Sequence, residues 1–160
     1  MANLLAKNLV TNQPDTLTIS LYFVYEKTSY GAMKLRVLLD EEGKKRIDEW
    51  NKKQDKAKDE ECPVTILNTK WKDASWAEQN KIISGSQVLN PSTNQVEANW
   101  ARYRDLRVKT LLVDWDMEYE GQKLPVTPDF IDRLPAEIVL ALFDRFERSS
   151  TLDAEVQGKQ

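Results

Sequence analysis

The chain has 160 residues, 23 of them basic and 26 acidic, for a net charge of −3 at neutral pH. That length suits one domain, and 41% hydrophobic residues with five Trp can fill its core. The near balance of charge argues against a dedicated nucleic-acid binder, the absence of histidine removes the commonest general base and metal ligand, and the single Cys62 excludes an internal disulfide.

The opening MANLLAKNLV is broken by Asn3, Lys7 and Asn8. It contains no apolar run of signal-peptide or membrane-spanning length, so a cytoplasmic protein with no membrane partner is expected. Residues 16–26 alternate through Leu17, Ile19, Leu21, Phe23 and Tyr25, the period-two pattern of a strand. KTSYG follows as a turn in which Gly31 can take positive φ, and Met33, Leu35, Val37 and Leu39 resume the alternation over 32–39. This hairpin needs another partner, since two strands alone are marginal in water, and Val64 and Ile66 place a third strand at 63–70.

Residues 40–61 are mostly charged, with both signs. Glu41/Lys45, Glu42/Arg46, Asp48/Lys52 and Glu49/Lys53 stand four apart with the acid first, the order that supports a helix. Ile47, Trp50 and Ala57 give that helix a thin apolar stripe on which a solvated element can be pinned. Cys62 lies beside Glu60 and Glu61, surroundings that suit a structural rather than a reactive thiol.

Ser75-Trp76-Ala77-Glu78 is a capping-box sequence that opens a short helix over 76–84, closed by Gly85. A polar loop around Asn90-Pro91 leads to Ser92 or Thr93 as the cap of a longer helix over 94–114, with Val96, Trp100 and Tyr103 on its early buried face. In WDMEYEGQKLPVTP, Gly121 turns between two short half-apolar pieces. Thr127-Pro128 then reads as an N-cap followed by Pro at the first helical position, for a short helix carrying Phe130 and Ile131. Pro135 opens a final helix over 135–148 with Ile138, Val139, Leu142, Phe143 and Phe146 on one face. The fold class that follows is α+β: a small N-terminal antiparallel sheet (hairpin plus a third strand) followed by a helical C-terminal half. It is a single domain over 1–160, with a β-rich part and its charged helix at 14–72, a helical part at 75–148 and a mobile tail at 149–160.

The sequence offers little to chemistry. Asp114, Asp116, Glu118 and Glu120 alternate around Trp115, Met117 and Tyr119, a spacing that could face a hard cation but more simply gives a half-buried strand its wet face. None of the five glycines forms a phosphate-cradling or dinucleotide motif. No catalytic, cofactor-binding or metal-ligating residue is assigned, no cofactor is expected, and the chain reads as a protein that is not an enzyme. Arg102, Arg104, Arg107 and Lys109 accompany Trp100 and Tyr103, but aromatics three apart on a buried face point to core packing, so no nucleic-acid partner is expected.

The stretch from Trp100 to Phe146 resembles the C-terminal region of tail assembly chaperones of long-tailed phages. The likeness is carried by ARYRDLRVKTLLVDW, by WDMEYEGQKLPVTP and by FIDRLPAEIVLALFDRF, with Trp115, Gly121, Pro125, Thr127, Pro128, Leu134 and Pro135 as its markers. The strand-rich N-terminal part matches no pattern of that family. The resemblance implies a protein that works in the host-cell cytoplasm, binds the tape-measure protein, with the tail-tube protein as a further candidate partner, and uses no cofactor. A tape measure exposes apolar helical stripes before assembly, and an apolar groove could cover them. On that reading Val139, Leu142, Phe143, Phe146 and Ile131 are the candidate partner-binding residues, weighed against core packing. The other readings are a structural tail or baseplate component and a small interaction protein acting on a host factor. Oligomeric state, the partner's identity and the role of the β-rich part stay open.

Overall fold

The computed structural model describes residues 15–53 and 61–158, together with residue 6; the rest of the opening stretch read above, and Ala57 and Glu60 of the charged segment, lie outside the described residues. The fold is α+β, an N-terminal antiparallel sheet followed by helices. β1 (Thr16–Lys27) and β2 (Met33–Leu38) form the expected hairpin in the register Tyr25↔Leu35, with Gly31 at φ +82° in the turn. β3 (Thr65–Lys72) pairs along the other side of β1, from Thr16↔Lys72 to Phe23↔Thr65.

A fourth strand, β6 (Leu112–Trp115), joins the edge of β3 and completes the order β2-β1-β3-β6. The sequence reading ran a helix through most of these residues. Leu111, Leu112 and Val113 form a short apolar run that periodicity alone cannot assign, and the open edge of β3 decides for a strand.

α1 (Asp40–Lys52) follows β2 with three acids in its first turn, complementing the helix dipole. It crosses the sheet where Tyr22 meets Gly43, and a second small cluster of Val24, Leu38 and Val64 packs there with Ile47 and Cys62. Glu26 accepts from Arg36 and Arg46 at 3.1 Å each, and Arg46 also bonds Glu42 one turn away, tying the hairpin to this helix.

α2 (Trp76–Gly85) carries the capping box in full: Ser75 Oγ accepts from Glu78 N, and the Glu78 carboxylate accepts from Ser75 N. A second hairpin then intervenes, β4 (Gln87–Asn90) with β5 (Gln95–Ala98), pairing Leu89↔Val96. The expected loop and early helix are replaced by this hairpin because Asn90-Pro91-Ser92-Thr93-Asn94 is a turn, with Asn94 at φ +55°. α3 is accordingly shorter, Trp100–Leu111, and its cap is Asn99, whose side chain accepts from Arg102 N at 3.1 Å, rather than Ser92 or Thr93.

β7 (Glu118–Tyr119) and β8 (Gln122–Lys123) turn at Glu120-Gly121, both at positive φ. α4 (Pro128–Arg133) has the expected Thr127 cap, with Pro128 at its start. α5 (Ala136–Gly158) begins after Pro135 and continues past residue 148, where the sequence reading ended it; residues 149–157 contain neither Pro nor Gly, so nothing interrupts the backbone ladder.

α3, α4 and α5 cover one face of the sheet. Ile19, Leu21, Leu67, Trp71 and Leu112 meet Val108, Leu111, Ile138, Leu142 and Phe146 in the main core. Trp71 Nε1 donates to Thr69 Oγ1 at 2.8 Å, and Thr69 Oγ1 donates to the Ile19 carbonyl at 2.7 Å, so the buried polar atoms of this layer are satisfied. Trp115 is equally buried and donates to the Leu124 carbonyl.

Candidate functional site

The five residues that the sequence nominated for a partner fall into two groups. Ile131, Leu142 and Phe146 are buried in the main core and present nothing to a partner in this conformation. Val139 and Phe143 are half-buried and pack against the same core. The apolar stripe of α5 packs mostly on the sheet, with Val139 and Phe143 at its partly open margin.

Exposed apolar side chains lie at several other places, among them Tyr30, Leu39 and Tyr119, and others stand on the arm made of α2, the β4–β5 hairpin and α3. Trp76 is 82% exposed, Trp100 72%, Val96 64% and Leu89 60%. Leu89 and Val96 face each other across the hairpin and form an apolar pair in solvent. The sequence reading placed Trp100 and Val96 on a buried face. Only the far end of α3, at Val108 and Leu111, reaches the core, and its first turn stands clear of the sheet.

Trp100 is held rather than loose. Its ring meets Tyr103 edge-on with centroids 5.7 Å apart. The Arg107 guanidinium lies 5.9 Å from the Tyr103 ring and 5.4 Å from Phe146. Phe146 stacks on Trp71 at 4.7 Å and 19°. A run of aromatic and cationic contacts thus leads from the sheet to the surface indole, each favourable by roughly 0.5–1.5 kcal/mol. Arg107 is fixed in that run by Glu147 and by Gln79 Oε1.

No known protein family, curated protein or solved structure matches the chain.

The charges of the arm divide cleanly. Lys72 pairs with Glu78, and Lys109 bridges Asp132 and Asp105, whose carboxylates raise its pKa. Arg102 and Arg104 have no ion pair among the described residues, and neither does Glu97, which accepts from Asn90 Nδ2 at 3.0 Å. The stretch that the sequence offered to nucleic acid is therefore partly exposed, although Arg107 and Lys109 are committed to acids.

On the opposite side of the sheet, a shallow cavity of about 310 Å³ is lined by Asn68, Lys70, Asp114, Asp116 and Lys123. Asp114 pairs with Lys123 at 2.7 Å, a contact that lowers its carboxyl pKa. Asp116 accepts from Asn68 N and Nδ2 at 2.9 and 2.6 Å. The alternating acids thus line the wet face of the sheet and hold their neighbours. Among the described residues no group of three or more Cys, Asp or Glu is placed to hold a metal ion, and no helix is long and apolar enough to cross a membrane.

Sequence reasoning missed the exposure of Trp100, Leu89 and Val96. The available signal was the Asn-Pro-Ser-Thr-Asn cluster between Val88-Leu89 and Val96, which marks a hairpin with a four-residue loop. Once the hairpin is recognised, Trp100 becomes the first residue of a helix, with no preceding turn to shield it.

Proposed function

We propose that this chain is a phage tail assembly chaperone that binds the tape-measure protein in the host cytoplasm through the α2–hairpin–α3 arm. The observation that carries this reading is Trp100, a large indole 72% exposed yet braced through Tyr103 and Arg107. Binding energy at protein interfaces concentrates in such aromatic anchors, and an anchor already held in place loses little entropy on binding. Leu89 and Val96 on the preceding hairpin add exposed apolar area, and Arg104, one helical turn on from Trp100, adds a charge. The resemblance of residues 100–146 to the tail-chaperone family is the second support.

The test is co-expression with the tape-measure protein of the same phage, followed by purification through a tag on this chain. Co-purification that is lost with Trp100→Ala, while the variant stays folded, agrees with the proposal; retention with Trp100→Ala refutes the site. Mass spectrometry of finished particles separates the nearest competing reading. An assembly chaperone is absent from them, whereas a fixed copy number in purified tails identifies a structural component.

A further inference from the structure

A cavity lies at a gap in the sheet, and it carries an inference independent of the aromatic arm. β1 is twelve residues long. β3 pairs with it over Thr16–Phe23, but β2 pairs with it only over Tyr22–Lys27, because the chain turns away after Leu38 into α1. Along Thr16–Leu21 the lane beside β1 therefore holds no strand among the described residues. Main-chain groups alternate sides along an antiparallel strand. Since Tyr22 faces Leu38 and the Ser20 carbonyl points the same way, the N–H and C=O groups of Thr16 and Thr18 open into this lane.

Part of the lane is plugged. Arg145 of α5 donates to the Ser20 carbonyl at 2.6 Å and to the Leu38 carbonyl at 3.3 Å, and pairs with Asp40 at 2.5 Å. Its fork stands where the next rung of the ladder would be and blunts the edge at that point. Beyond it a cavity of about 810 Å³ extends, bounded by the β1 edge, the turn Val37–Glu41 and the α5 residues Ala141, Asp144 and Arg148.

We infer that this lane is a strand-addition site for an extended segment of a partner polypeptide, which pairs with the main chain of Thr16 and Thr18. Main-chain pairing supplies the attraction, as in other cases where a peptide completes an open sheet edge. The walls specify the partner. Ile19, Val37 and Ala141 offer an apolar side, which suits alternate small apolar residues. Among the charges, Arg145 is matched by Asp40 and Arg148 by Asp144, leaving Glu41 without an ion pair among the described residues. The intervening residues of the partner are therefore basic or neutral.

The test uses amide exchange by NMR on the full chain, with the peptide acetyl-Lys-Val-Lys-Val-Thr-Val-amide as probe and a twin carrying Pro at both Lys positions as control. In the free protein the Thr18 amide should exchange at least tenfold faster than the Ile19 amide, which faces β3. Equal protection without peptide, or protection that grows with protein concentration, overturns the proposal by showing the lane already filled. Added peptide should slow Thr16 and Thr18 exchange at least tenfold, while the Pro twin has no effect. Thr18→Pro removes the outward N–H but leaves the β3 ladder intact, since that N–H faces away from β3. It should abolish peptide protection, whereas Thr18→Val should preserve it. Peptide binding unchanged in Thr18→Pro, or absent from the wild type, sinks the inference; if Thr18→Pro fails to fold, the wild-type exchange pattern decides alone.

Discussion

Replacing Phe146 by alanine removes a ring that is 1% exposed, stacked on Trp71 and covered by Arg107. The void lies between a strand and a helix that are both anchored elsewhere, so the walls can collapse only in part. Phe→Ala changes at such sites cost about 3–5 kcal/mol, and the stacked geometry places this one near 4. That is a large share of the roughly 5–15 kcal/mol that separates a native domain from its unfolded chain. With a urea dependence of about 2 kcal/mol per molar, the unfolding midpoint should fall by roughly 2 M. The assay is urea denaturation followed by Trp fluorescence, since Trp71 reports on its own stacking partner. The half-buried Phe143 serves as comparison and should cost about half as much when changed to alanine. A loss below about 1.5 kcal/mol for Phe146→Ala would refute the core assignment and return this residue to the partner-facing surface the sequence suggested.

Trp100→Ala should change stability by less than about 1 kcal/mol because the indole is mostly in solvent, yet weaken tape-measure binding by about 30-fold, the equivalent of roughly 2 kcal/mol, read by isothermal titration. Gly43→Ala should be destabilising by about 1–3 kcal/mol in thermal melts although alanine is the better helix former, since the new Cβ would sit 2.5 Å from Tyr22 Cγ. Hydrogen bonds from Arg36 and Arg46 hold the Glu26 carboxyl below the usual glutamate pKa. A carboxylate depressed by folding stabilises the native state above its unfolded pKa, and that contribution disappears as pH falls through the lower folded value. Glu26→Gln should therefore flatten the acid limb of a stability-versus-pH curve below about pH 4.5, and 1 M salt should shrink the difference between the two proteins.

Local chemistry made much of the framework legible. The alternation of residues 16–26 and 32–39, the Ser75/Glu78 capping box, the Thr127-Pro128 helix start and the positive-φ Gly31 and Gly121 all appear where the side chains and backbone preferences put them. Each depends on neighbours within a few positions, so a linear reading captures it. The α+β class follows from the same elements.

What the tertiary structure decided is which apolar residues are used. Leu112–Trp115 is a strand because β3 had an edge to fill, a fact belonging to residues far away in the chain. Phe146, Leu142 and Ile131 are interior because the sheet, not a partner, takes the face of α5. Trp100 is exposed because a hairpin interrupts what looked like one long helix and leaves its first turn beyond the reach of the core. The lane beside β1 that no described strand fills arises where β2 leaves early for α1, and no periodicity announces it. Amphipathic spacing tells which side chains share a face of an element; only the packing of elements against one another determines whether that face meets the core, another chain or water.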